Sequence, residues 1–297
     1  MHNQLTIAIL AGLGGMIGWG FADFCAKKTT DAVGAIKSLV WAHAFGTTLF
    51  IIIALGDAWL FGRHLQFPNS FGTWAGSAFF GALQMIVYWL AYEAFGKGQL
   101  AVLNPIFASF PGLVAVAAVI FFGETLSAGL AIALVLLFGG ILLINIDPTG
   151  TRRSKRFNSI PGLKEIALAT ILAAAWTIGW DRFISGRQAL PYALSMYAFM
   201  LLAAVALAKL MRSSLRGVPR ELWKFLVLIG LGETVAYLAI SWGYSATSLT
   251  SIVALVSGAF SLPTLVLAYI FLKERLSKLQ WGAVGLTILG IVLVSLQ

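Results

Sequence analysis

A seven-residue stretch that occurs twice constrains this chain more than any other feature. Phe121-Phe122-Gly123-Glu124-Thr125-Leu126-Ser127 returns as Phe271-Leu272-Lys273-Glu274-Arg275-Leu276-Ser277, with Glu124 on Glu274 and Leu126-Ser127 on Leu276-Ser277. Each copy closes one apolar run and opens the next, so the chain is a doubled unit. The register extends well beyond the motif. At an offset of 149, Trp74 falls on Trp223, Gly81 on Gly230, Tyr88 on Tyr237 and Leu100 on Leu249, while Gln84 falls on Glu233. One residue of slip later, Gly140 falls on Gly290. Chance supplies apolar matches among hydrophobic helices; it seldom supplies Trp, Tyr and acid positions in one register.

The repeated unit is built for lipid. Apolar residues make up 60% and charged residues 10% of the chain, where a soluble domain carries about a quarter charged. Apolar runs recur at about 20 residues, the length that crosses a bilayer. Residues 98–123, 125–146 and 234–272 contain no Asp, Glu, Lys or Arg. Backbone groups in hydrocarbon must bond internally, and the alternation of a membrane barrel is absent, so the spans are helices.

Ten spans are expected, near 5–26, 34–56, 72–95, 100–122, 127–146, 162–182, 191–210, 222–244, 248–272 and 278–296. The expected fold is therefore all-α and integral to the membrane, with ten transmembrane helices as two inverted five-helix repeats. Residues 1–148 and 164–297 are the repeats, and 149–163 is a polar cytoplasmic linker. Five is odd, so the second copy enters the membrane upside down, the arrangement of many secondary transporters.

The connections after odd-numbered spans hold seventeen Lys and Arg, against Arg63, Arg182 and Arg187 on the other side. The positive-inside rule puts the basic side in the cytoplasm and both termini outside. The +9 net charge is thus a topology signal, not a nucleic-acid patch. Cys25 is the one cysteine, and His2, His43 and His64 are too few and too scattered for a zinc site, so neither an internal disulfide nor a metal is expected. No catalytic or nucleotide-binding motif is present. The protein is expected to be no enzyme and to need no cofactor.

Candidate site residues are the polar and aromatic groups placed deep in spans. Glu233 lies near mid-span, where a charge costs on the order of 3 kcal/mol on insertion scales. It either faces a substrate, binding an ammonium or carrying a proton, or is an acid bonded to neighbouring helices. Tyr237 follows it by one helical turn, and Gln84-Tyr88-Tyr92 form the matching face in the first half. The Tyr rings either stack on a ligand or belong to the interfacial belt. Trp19 and Trp176 sit deep in the spans that begin each half, as a cavity wall or as packing. His43 aligns loosely with Tyr197, and is packing or cavity lining. Asn104, beside Pro105 in a proline-interrupted span, binds substrate or the backbone that proline frees. Asp23, Glu93 and Asp181 fall near span ends, where snorkelling or local pairing is expected. Gly14-x-x-x-Gly18 reads as a close-packing face.

At the two Glu motifs, at Trp19-Gly20, at Asn104-Pro105 and in the closing Gly140 and Gly290 helices, the sequence resembles the drug/metabolite transporter superfamily, and within it the EamA-type proteins. It looks most like YddG-type exporters of aromatic and other neutral amino acids in the bacterial inner membrane. The resemblance implies a central cavity between spans 1, 3 and 4 and spans 6, 8 and 9, with spans 5 and 10 as scaffold. It also implies alternating access to a small amino-acid-like substrate; the lipid bilayer is the other partner, and a monomer is compatible with this. A family arginine of the second span is missing: Trp41-Ala42-His43 and Ser195-Met196-Tyr197 stand there, which argues against phosphorylated cargo. The alternative cargoes are a nucleotide sugar, a nucleobase or a cationic drug; a membrane sensor or enzyme is the third class.

The inverted arrangement has a direct consequence. Cysteines replacing Ser127 and Ser277, in a chain with Cys25 replaced, should label with a membrane-impermeant thiol reagent from opposite faces of the membrane. Labelling of both from one face contradicts the inversion.

Overall fold

The computed structural model describes residues 2–97, 103, 106–144, 161–273 and 276–297. In chain order the helices are α1 (His2–Val33), α2 (Ala35–Phe61), α3 (Phe71–Lys97), α4 (Phe110–Phe122) and α5 (Ala128–Ile144). The second half holds α6 (Leu163–Ile184), α7 (Ala189–Leu210), α8 (Trp223–Ala246), α9 (Thr250–Gly258), α10 (Ser261–Leu267) and α11 (Lys278–Ser295). Among the described residues, eight helical segments are long and apolar enough to cross a membrane, with α9 and α10 together forming one of them. The shorter α4 and α5 are equally apolar. Large apolar side chains such as Leu10, Ile17, Ile52, Ile120, Ile132 and Val135 are exposed, a surface that suits lipid and not water.

The ninth span is helical in two pieces because of Pro263. A proline has no N–H to give the carbonyl four residues back, and its ring crowds that carbonyl. The chain breaks there, at Ala259-Phe260, and α1 exploits the break. The Thr264 hydroxyl donates to the Gly20 carbonyl at 2.9 Å, and Gly20 leaves no room for a side chain against Pro263 and the Phe260 carbonyl. A π-helical turn, Ala268–Leu272, ends the segment. In the fourth span, Pro111 sits in the first turn of α4; Asn104, Pro105 and most of the expected linker lie outside the described residues, as do Glu274 and Arg275.

Small residues set the packing. Along α1, Gly14 meets Ala239 and Gly18 meets the Gly232 carbonyl and Ala236 of α8, the close-packing face expected of Gly14-x-x-x-Gly18. Rising numbers on α1 meet falling numbers on α8, so the two run antiparallel. The counterpart pair, α3 and α6, does likewise, with Gly76 against Phe183 and Ala94 against Gly162. Equivalent helices of the two halves also run antiparallel. Gly140 of α5 packs on Thr287 of α11, and Gly290 packs on Leu137. In the fourth and ninth spans, Pro111 packs on Gly258 and Glu124 bonds Ser251.

Contacts between connections sort by span parity. At the even end, Gln66 and His64 bond Gln188, and the Gly186 N–H donates to the Ser245 carbonyl at 3.2 Å. At the odd end, Lys37 and Trp41 donate to the carbonyls of Arg216 and Leu215, and Lys97 bridges Glu93 and Glu165, 3.0 Å from each.

The α5–α11 contact yields a matched test. A side chain added at Gly290 would sit 2.6 Å from the Leu137 backbone, whereas Gly285 has open space around it. Gly290→Val should therefore lower the melting temperature in detergent, by an amount equivalent to about 1–3 kcal/mol of overpacking. Gly285→Val should leave it near wild type.

Candidate functional site

Two glycine crossings bring the site together. Gly230 of α8 lies against the Ala42 carbonyl and the Gly46 N–H of α2, and Thr234 ties the crossing by donating to the Gly46 carbonyl at 3.2 Å. Three residues from each glycine stand His43 and Glu233, which this crossing holds face to face. Gly46 also makes room for the ring of Tyr197 from α7. The result is a buried triad. The Tyr197 hydroxyl donates to Glu233 Oε2 in a short hydrogen bond, His43 Nε2 stands 3.5 Å from the same oxygen, and the His43 and Tyr197 rings stack at 5.0 Å. His43 and Tyr197 are 0% and Glu233 4% exposed; a charge this buried is tolerated only with close partners.

Around the triad lie the remaining candidates. Tyr237 bonds Tyr88 hydroxyl to hydroxyl at 3.3 Å. Trp19 and Trp176 both meet the Tyr237 ring edge-on, at 5.5 and 5.9 Å, and Gln84 reaches the Tyr237 hydroxyl. Trp176 is anchored by donating its indole N–H to the Phe80 carbonyl at 2.9 Å, and Trp180 by donating to Ser241 at 3.0 Å. In contrast, Trp19 Nε1 and Gln84 Oε1 are buried without a hydrogen-bond partner. One is a donor and the other an acceptor, so a ligand with both an acceptor and a donor would satisfy them.

Seven of the eight residues singled out in the sequence thus converge: Trp19, His43, Gln84, Tyr88, Trp176, Glu233 and Tyr237. Asn104 lies outside the described residues. Three contributors were missed. Tyr197 was noticed only as a loose counterpart of His43, yet it makes the closest bond to Glu233. Asp23 was expected at the span edge, but lies within electrostatic range of Glu233, Tyr88, Tyr92 and Tyr237. Its spacing of four from Trp19 was the available signal. Trp180, one turn after Trp176, extends the wall.

A cavity lies at the odd end. The Tyr88 and Tyr92 rings stack at 6.5 Å, and Tyr92 lines a cavity of about 260 Å³ at the odd end, together with Trp89, Glu93, Lys37 and Met211. The even end carries a second polar cluster instead. Ser251 donates its backbone N–H to Glu124 at 3.1 Å and its hydroxyl to the other carboxylate oxygen. Thr250 donates to Asp181 at 3.0 Å. Arg182 stands 3.5 Å from Asp181 and caps the Phe122 ring at 3.6 Å. The local Asp181–Arg182 pair expected from sequence is present, but Asp181 is 4% exposed, buried under α9 and not snorkelling.

A two-part helical membrane chain with a polar, aromatic-walled site buried between its halves has the make-up of a membrane transporter. The sequence profile of the EamA-like transporter family matches residues 6–146 and again residues 161–296. The chain belongs to that family, whose members are transporters of the drug/metabolite superfamily, and its two halves are tandem copies of the family's unit. No curated protein matches the chain. A solved crystal structure, described only as that of a protein, superposes with a TM-score of 0.78 at 16% identity, covering 97% of this chain and 98% of that one. That likeness shows a shared fold.

The even-end cluster carries a pH signature. Burial raises Glu124 above the ordinary carboxylate range, against the opposing pull of the Ser251 bonds and of Arg182. The fold disfavours its charged form, so the stability linked to this group is full below the ordinary carboxylate value and is lost as pH rises through the raised one. Thermal melts in detergent from about pH 4 to 8 should show that decline. Glu124→Gln, which still accepts from Ser251, should flatten it.

Proposed function

We propose that the protein is an alternating-access exporter of small amphipathic metabolites, with neutral and aromatic amino acids as the leading cargo. The observation that carries this reading is the buried cluster on Glu233, to which both halves contribute. Trp19, His43, Gln84 and Tyr88 come from the first half, and Trp176, Tyr197, Glu233 and Tyr237 from the second. Its chemistry suits an amino acid. Glu233 offers a carboxylate to an ammonium, the aromatic walls offer stacking to a side chain, and Trp19 Nε1 and Gln84 Oε1 are an unused donor and acceptor.

The antiparallel run of equivalent helices supports two inverted halves that rock about the site. The basic odd end is assigned to the cytoplasm of a bacterial inner membrane, with both termini outside. One observation favours a second reading. Asp23 and Glu233 are two acids against one imidazole in this neighbourhood, so an organic cation without a carboxylate also fits. A nucleotide sugar fits less well, because no Lys or Arg contacts the cluster among the described residues.

Counterflow in proteoliposomes separates these readings. Labelled phenylalanine should exchange against unlabelled aromatic amino acids and ignore nucleotide sugars, and Glu233→Gln should slow the exchange at least ~10-fold, the loss of about 1.4 kcal/mol of binding. Exchange of quaternary amines but of no amino acid would favour the second reading.

A further inference from the structure

We propose that the cavity at the odd end is a second binding place for cargo, separate from the Glu233 cluster and suited to a free zwitterionic amino acid with an aromatic side chain. The identity of the cargo rests on the amino-acid reading above; the site itself rests on its own geometry. The cavity, of about 260 Å³, is walled by the turn between α1 and α2, by α3, and by the segment that follows α7. Two of its lining side chains carry opposite charges and come from different helices, Lys37 from the first turn of α2 and Glu93 from α3. Among the described residues, no hydrogen bond or ion pair joins one to the other. Lys37 donates instead to the Arg216 carbonyl at 2.8 Å, and one oxygen of Glu93 pairs with Lys97 at 3.0 Å. An ammonium has three N–H groups and a carboxylate two acceptor oxygens, so each keeps capacity for a ligand. A cation and an anion that line one cavity without pairing match a ligand that carries both charges itself.

The backbone reinforces the positive side of this arrangement. α2 starts beside Gly34, whose φ of 84° turns the chain out of α1 and which gives the helix no side-chain cap. The first bond within α2 runs from the Ser38 N–H to the Gly34 carbonyl at 3.2 Å. The N–H groups of Ala35, Ile36 and Lys37 come before it, at the edge of the cavity, and such a helix start favours a carboxylate. No Lys or Arg contacts the Glu233 cluster among the described residues, so Lys37 supplies the carboxylate partner that the cluster lacks. For the side chain, Trp89 and Tyr92 line the same cavity from one face of α3 and offer aromatic surface. The Tyr92 ring stacks on Tyr88 at 6.5 Å, and Tyr88 bonds Tyr237. One run of aromatic side chains thus extends from this cavity to the Glu233 cluster. That continuity favours cargo over a zwitterionic lipid headgroup, which carries both charges but no ring.

The test labels the protein with fluorotryptophan and follows the fluorine resonance of Trp89, assigned by its loss in Trp89→Phe, as phenylalanine is added in detergent. The expected result is a saturable shift. Phenethylamine, which lacks the carboxylate, and hydrocinnamate, which lacks the ammonium, should need about 5- to 10-fold higher concentrations, the worth of one half-exposed charged contact. Lys37→Gln and Glu93→Gln should each weaken the phenylalanine response by a similar factor, whereas Lys37→Arg, which keeps the charge, should hold it near wild type. Glu233→Gln should leave the Trp89 response unchanged, because that acid belongs to the other site. A Trp89 response that weakens with Glu233→Gln, or analogues as effective as phenylalanine, overturns the proposal. A response to added phosphatidylethanolamine and none to phenylalanine also overturns it and assigns the cavity to lipid. A silent Trp89 resonance alongside phenylalanine counterflow removes the second site and leaves the exporter reading intact; silence in both assays across an amino-acid panel overturns the two together. A shift without counterflow keeps the cavity as a binding site and removes the exporter reading. The analogue series needs no variant, and melting in detergent reports whether each variant folds.

Discussion

A carboxylate buried among apolar helices is the demand that the rest of this structure meets. Left alone, Glu233 would carry a desolvation cost that the modest stability of a folded chain does not absorb. Four helices therefore close on it: α2 with His43, α7 with Tyr197, α1 with Trp19 and Asp23, and α3 with Tyr88 through Tyr237. Helices that converge so tightly need backbones without bulk, which is where the glycines fall. Gly230 admits α2, Gly232 and Gly18 let α1 and α8 touch, and Gly46 admits the Tyr197 ring. The glycine pattern and the polar site are one design seen at two levels.

The duplication explains why the partners are paired in kind. Tyr88 and Tyr237 are equivalent residues, and their hydroxyls bond each other. His43 and Tyr197 occupy comparable places in the second and seventh spans, and their rings stack. Trp19 and Trp176, from the first spans of the two halves, approach the same Tyr237 ring. Where two copies of one unit pack against each other, the most central contacts join counterpart to counterpart. The halves also diverge: Gln84 keeps the hydrogen bonding of its counterpart Glu233 without the charge, and at this position only the second half carries an acid.

This is also why much of the site was legible in the sequence. The offset of 149 aligned Gln84 with Glu233 and Tyr88 with Tyr237 before any contact was visible. What stayed hidden depended on where helices end and how they cross. Asp23 looked peripheral because the first span was expected to stop near residue 26, whereas α1 runs to Val33 and holds Asp23 more than two turns inside. Asp181 does lie near the end of its helix, yet α9 covers it with Thr250, and no pattern within the sixth span announces a lid from the ninth. Tyr197 required knowing that α2 and α7 converge on α8. The break in the ninth span, in contrast, was readable from Pro263 alone, because proline acts through local covalent geometry and not through packing.

The two ends of the molecule are unlike each other, and the sequence encodes the difference. At the even end, Glu124 of the first motif grips Ser251 at the start of α9 through two hydrogen bonds. The second motif offers the equivalent acid, Glu274, but the residue equivalent to Ser251 is Val102, and Thr250 is matched by Ala101. Neither valine nor alanine has a hydroxyl to give. A mirror-image tie at the odd end therefore cannot use the same side-chain bonds, although the two motifs share four of their seven residues. The even end thus carries a carboxylate–hydroxyl tie whose hydroxyl partner the sequence does not repeat at the odd end.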